Sequence, residues 1–159
     1  MHKTRNILFN TAFFFNSLLL FLLLFYDKLI IPSWVQVIGR MHPMILHFPL
    51  VLLILYIAWI LWLSKKINTQ HSKDIADTLL LFAVLSAVLT ALMGLLLSKE
   101  SGYDADALSL HKWSGVSLAF ISFTWYILRD KISQIKFVPA IMAMIVLYSW
   151  KLMDKMHIF

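Results

Sequence analysis

Residues 38–53 read IGRMHPMILHFPLVLL, placing Arg40, His42, Pro43, His47 and Pro49 at the entrance of an apolar run that continues to residue 63. An uninterrupted run of about 20 apolar residues is what an α-helix needs to cross a bilayer. Cationic and ionisable side chains at such an entrance are expensive, and by default they mark a site. Pro43 suits a first helical turn, where a missing N–H leaves nothing unpaired. Pro49 lies deeper and removes the bond to the carbonyl of residue 45, so a break near His47 is expected.

The rest of the chain is equally lipophilic. Of 159 residues 61% are hydrophobic and 14% charged, with a mean hydropathy of +0.82. A soluble domain of this length could not bury so much apolar surface, and the expected class is an all-α integral membrane protein. Five spans are expected, at about 6–26, 43–63, 75–97, 105–128 and 138–152. Lys3 and Arg5 precede the first as they would in a signal peptide, but the run is long, Tyr26, Asp27 and Lys28 follow it, and no small-residue cleavage site is visible. Residues 1–38 therefore read as a retained transmembrane anchor with an interfacial linker around Pro32 and Trp34. Residues 39–159 read as a four-helix transmembrane bundle.

In the third span Ala83, Ala87 and Ala91 recur every four residues beside Gly94, a spacing suited to close helix packing. Lys and Arg counts favour a cytoplasmic amino terminus: Lys3, Arg5, Lys65, Lys66, Lys73, Arg129, Lys131 and Lys136 fall on one side, against Lys28, Arg40, Lys99, Lys112, Lys151 and Lys155. The carboxy terminus is then expected in the periplasm of a bacterial inner membrane.

A second segment, 103–115 with the sequence YDADALSLHKWSG, begins the fourth span from the same side. His42, His47 and His111 thereby share one membrane face. Cysteine is absent, which excludes iron–sulfur clusters, thiolate zinc and covalent c-type haem. Two neutral imidazoles on facing helices are what a membrane b-type haem requires. His47 and His111 are the expected axial ligands, because His47 is the deeper of the first pair. His42 and His47, five residues apart, diverge by roughly 140° on a helix, so they should not share one iron. His42 is instead expected to support a propionate, a carboxylate of Asp104 or Asp106, or water. Arg40 and Lys112 stand at the level of propionates, Gly115 leaves room for a flat ring, and Met44, Phe48 and Trp113 are candidate walls. The same residues also suit a plain tie between helices, or a proton, quinone or divalent-metal site.

No catalytic constellation stands out: Ser109, Ser114 and His111 lack an orienting third group and an oxyanion hole. The basic residues sit in short loops, which fits membrane lipid as a partner and not nucleic acid.

The motifs GRMHPMILHFP (39–49) and GYD (102–104), followed by HKWSG (111–115), resemble those of a family of four-span bacterial membrane proteins of unknown function. The resemblance covers about residues 39–153 and assigns Arg40, His42, Pro43, His47, Phe48 and Pro49 to one motif. Gly102, Tyr103, Asp104, His111, Trp113 and Gly115 belong to the other. Members are often fused to, or encoded beside, c-type cytochrome modules, which implies a place in periplasmic electron transfer. The resulting expectation is a b-type haem subunit relaying electrons near the periplasmic face, with membrane or periplasmic redox partners such as c-type cytochromes. The alternative is a cofactor-free structural or assembly subunit; both are non-catalytic.

Overall fold

The computed structural model describes residues 2–63, 70–99 and 105–132, with 141, 143–145, 147, 148 and 151. Among the described residues every regular element is helical: α1 (His2–Leu24), α2 (Ser33–Gly39), α3 (His42–Ile45), α4 (His47–Ala58), α5 (Gln70–Leu97) and α6 (Ala105–Ile132). A 3-10 turn, Tyr26–Lys28, closes α1, and a π turn, Trp59–Leu63, closes α4.

Among the described residues three helices are long and apolar enough to cross a membrane: Lys3–Leu24, Val37–Trp62 and Gln70–Leu97. The segment of the expected fourth span is helical, as part of the 28-residue α6, but it is not among those three: His111, Lys112 and its Ser and Trp residues make it less apolar. The expected fifth span lies largely outside the described residues, although 141, 143–145, 147, 148 and 151 are helical.

The second apolar helix is interrupted where Pro49 removes a donor. Regular helix stops at Leu46, yet Leu46 keeps helical angles (φ −51°, ψ −40°) and donates to the His42 carbonyl at 2.9 Å. The break is therefore a loss of hydrogen bonding and not of helical backbone.

Helix α5 is the centre of the structure and packs against α1, α2, α3, α4 and α6. Over its most apolar stretch 56% of the residues are buried, against 17% in α1. Its sequence makes this possible. Ala83, Ala87 and Ala91 are buried as a small-residue face, and the hydroxyls of Ser86 and Thr90 bond to the carbonyls of Ala83 and Ser86. A polar side chain satisfied within its own helix can enter an apolar interior at little cost.

Two core clusters line α5. One contains Leu50, Leu53, Tyr56, Leu80, Val84, Phe123 and Trp125 and takes Ala12 from α1. The other contains Ala87, Val88, Ala91, Leu95, Val116 and Ala119 and takes Leu19 from α1.

The two ends of the bundle are fastened differently. At one, Arg129 Nε donates to Asp77 Oδ1 at 2.9 Å and Arg5 Nη1 reaches Asp77 Oδ2 at 3.4 Å, joining α6 and α1 to α5. At the other, Gly39 of α2 lies so close to α5 that a Cβ would stand 2.9 Å from the Leu97 nitrogen and 3.2 Å from its Cα. This contact seats the start of the His42 segment on the end of α5.

Candidate functional site

The two segments singled out by sequence meet. His42 enters from α3 and His111 from α6, with their Nε2 atoms 3.0 Å apart and their rings nearly perpendicular at 87°. His42 is 6% exposed, and its Nδ1 lies 2.9 Å from the Thr90 carbonyl of α5. Space for the ring comes from Gly94, where a Cβ would stand 3.0 Å from His42 Cε1 and 3.2 Å from Nδ1.

The hydrogen-bond network assigns the tautomers. A carbonyl only accepts, so His42 Nδ1 carries the proton and, in the neutral ring, His42 Nε2 is a bare lone pair. The contact at 3.0 Å then requires His111 Nε2–H to donate to it. His111 Nδ1 is left as a second bare lone pair, and it is buried with no hydrogen-bond partner. Three of the four ring nitrogens are satisfied; an unsatisfied buried acceptor costs about 1–3 kcal/mol.

Around the pair lies a cavity of about 40 Å³. Its floor is the small-residue face of α5 at Ala87, Ala91 and Gly94; one wall is Leu46, Pro49 and Leu50, and the other includes Gly115 and Leu118 of α6. Gly115 has open space where a Cβ would project. Away from the imidazoles, α4 and α6 are tied by Trp125 Nε1, which donates to Tyr56 Oη at 3.0 Å.

The other expected residues fall as follows. His47 is on the exposed side of α4 and does not line the cavity, so the expected pairing of His47 with His111 is replaced by His42 with His111. The divergence of roughly 140° between His42 and His47 is the reason: when one ring faces α5 and α6, the other faces outward. Lys112 lines the cavity and its Nζ lies 3.9 Å from the centre of the Tyr26 ring. Trp113, Met44 and Phe48 are 53%, 81% and 57% exposed and are not walls; Arg40 is exposed at the start of the segment. Gly102, Tyr103 and Asp104 lie outside the described residues, as does the side chain of Asp106.

Two contributors escape a reading of motifs: Thr90, which acts through its carbonyl, and Gly94. Gly94 alone carried a signal, since a glycine inside a helix costs about 1 kcal/mol against alanine and calls for a reason.

Among the described residues no three His, Asp or Glu side chains converge as metal ligands. A two-imidazole donor set instead suits an iron whose remaining positions are filled by a ring it brings with it. His42 matches such a ligand well, because metal-binding histidines almost always donate the other ring nitrogen to a carbonyl or carboxylate. The spacing is tighter than ligation requires: two nitrogens on one metal stand roughly 4 Å apart, twice a bond of about 2.0 Å. At about 40 Å³ the cavity is also far too small for a tetrapyrrole, which would have to part His42 from His111 and separate the α6 wall from the α3–α4 wall. The donor chemistry suits a b-type haem, whereas the placement does not: ligation through both Nε2 atoms also needs the His111 proton moved to Nδ1, which has no acceptor.

Comparison of the chain with protein-family models, with curated proteins and with solved structures finds no match.

Proposed function

We propose that the chain is a bacterial inner-membrane protein that holds a b-type haem between His42 and His111 near the periplasmic face, as an electron-relaying subunit of a larger redox assembly. The observation that carries this reading is the opposed pair of imidazole nitrogens, one of them oriented by the Thr90 carbonyl. His42 and His111 would hold the iron, and Lys112, which lines the cavity, and Arg40, at the start of the His42 segment, would be the cations available to its carboxylates. When bound, the haem supplies one-electron exchange between ferric and ferrous iron. The protein supplies two imidazoles, that of His42 with its proton held on Nδ1 by the Thr90 carbonyl, and an apolar enclosure from Leu46, Leu50 and Leu118.

The apolar helices support a membrane location, and the charge distribution supports a cytoplasmic amino terminus with the carboxy terminus outside. In this reading α6 is a further span, with Ser122 fully buried and bonded to the Ala119 carbonyl, while Ser117 and Thr124 lie on its exposed side. The motif resemblance to membrane proteins associated with c-type cytochromes supports a redox partner.

The direct His42–His111 hydrogen bond favours one second reading, a cofactor-free structural subunit in which the imidazoles tie α3 to α6. A reduced-minus-oxidised absorption spectrum of protein purified from membranes separates the two. The haem reading predicts a b-type difference band; a flat spectrum from folded protein produced with ample haem supply would support the tie.

A further inference from the structure

Helix α6 buries one side against α5 and turns another outward from residue 110 to residue 127. On the outward side Leu110, Trp113, Ser117, Phe120, Thr124 and Ile127 recur at alternating steps of three and four residues. Leu110, Trp113 and Ile127 are about half exposed, Ser117 and Thr124 are exposed, and Phe120 is half-buried. Steps of three and four average about 3.5 residues, the period of a seam along which two helices pack at a shallow left-handed crossing.

Two hydroxyls set this seam apart from a face made for lipid. Thr78, Ser86 and Thr90 of α5 and Ser114 and Ser122 of α6 each donate to a carbonyl of their own helix. Ser117 and Thr124, one heptad apart on the seam, make no such bond among the described residues and face outward. In hydrocarbon a hydroxyl can bond only to protein, and left alone it is costly. The outward face of α4 past Phe48 shows the contrast: it consists of Val51, Ile54 and Leu55, with nothing to satisfy.

The chemistry of the seam identifies what covers it. Copies of one chain insert with one topology, so two α6 helices related by a two-fold axis along the membrane normal run parallel, and each seam residue meets its own counterpart at equal depth. A hydroxyl both donates and accepts, which makes Ser117 and Thr124 self-complementary. Polar residues at one position of a heptad also fix the register of the pair. We infer that α6 is the seam of a homodimer, in which Ser117 bonds to the partner's Ser117 and Thr124 to the partner's Thr124 while Leu110, Trp113, Phe120 and Ile127 pack between them. The inference rests on the reading of α6 as a span, and not on what the histidines hold.

The chain has no cysteine, so single thiols can be placed at will. Leu110→Cys, Ser117→Cys and Thr124→Cys, with Ser17→Cys on the exposed side of α1 as reference, are oxidised in native membranes with copper phenanthroline. Disulfide-linked dimers of two differently tagged copies are then measured on non-reducing gels. The three α6 variants are expected to give several-fold more dimer than Ser17→Cys; equal yields at all four positions, as random collision produces, overturn the seam. Thiols at 117 and 124 are expected to resist a membrane-impermeant maleimide. Ready labelling of both overturns the span and the dimer together, whereas protected thiols that do not cross-link put lipid or another helix on this face and overturn the dimer alone. Ser117→Ala/Thr124→Val removes both hydroxyls and is expected to weaken dimerisation roughly fivefold to tenfold in a detergent dilution series. Unchanged dimer affinity in that variant overturns the role given to the hydroxyls.

Discussion

Gly94 and His42 are fitted to each other: a single carbon added at residue 94 would lie 3.0 Å from the imidazole Cε1 and 3.2 Å from Nδ1. The ring would have to rotate away from the Thr90 carbonyl to accept it. Gly94→Ala should therefore separate site from scaffold. Its helix propensity gain of about 1 kcal/mol offsets the cost of an off-rotamer ring, of similar size, so thermal stability should stay close to wild type. Haem affinity, measured by titration of haem-free protein, should fall at least several-fold. Unchanged affinity would mean that the His42 orientation does not matter.

Gly39 differs because the atoms it meets are backbone. A Cβ there would stand 2.9 Å from the Leu97 nitrogen, and neither helix can move one atom alone. Gly39→Ala should force α2 off the end of α5 and destabilise the fold by roughly 1–3 kcal/mol, as overpacking does elsewhere. Unfolding monitored by circular dichroism in mixed micelles checks this, with Gly39→Ala expected to fall well below Gly94→Ala.

How the two helices flanking the cleft are joined below the imidazoles can be tested at Trp125 and Tyr56. Both are buried, and each supplies the other's partner at 3.0 Å. Trp125→Phe strands the Tyr56 hydroxyl and Tyr56→Phe strands the indole N–H, each costing about 1–3 kcal/mol. Replacing both should cost less than the sum of the two, since no polar group is then left alone. A double-mutant cycle in the same unfolding assay measures the coupling.

At the opposite end, Asp77 holds Arg129 at 2.9 Å and Arg5 at 3.4 Å, with side chains about a fifth to a quarter exposed. Solvent screens such groups, so Asp77→Asn is expected to cost on the order of 1 kcal/mol. Arg5→Gln, which removes the longer contact to Asp77 and one of 3.8 Å to Asp74 but leaves Arg129 paired, should cost less. Added salt should narrow the difference, and a loss for Arg5→Gln equal to that of Asp77→Asn would contradict the ordering.

Much of the helical architecture was legible in the length of the apolar runs. Apolar runs of bilayer length became helices at α1, α4 and α5, and the four-residue spacing of Ala83, Ala87 and Ala91 marked the face that is buried. The meeting of the segments around His42 and His111 followed from topology, since both enter from one side.

What escaped the sequence was rotation. A separation of roughly 140° says that His42 and His47 diverge but not which one turns inward. The choice was made by a third helix, where Gly94 leaves a gap and Thr90 offers a carbonyl facing His42. The contacts of Tyr26 were hidden for a similar reason, since the two lysines over its ring lie more than 70 residues away in the chain.

The assignment of His42 and His111 as the ligand pair is tested most directly by haem content per polypeptide in purified wild type and in His42→Ala, His47→Ala and His111→Ala, with helicity measured on the same samples. The expected result is that His47→Ala retains wild-type stoichiometry and a low-spin spectrum, whereas His42→Ala and His111→Ala each lose low-spin haem while remaining helical. Low-spin haem surviving in His42→Ala and lost in His47→Ala would contradict the pairing of His42 with His111.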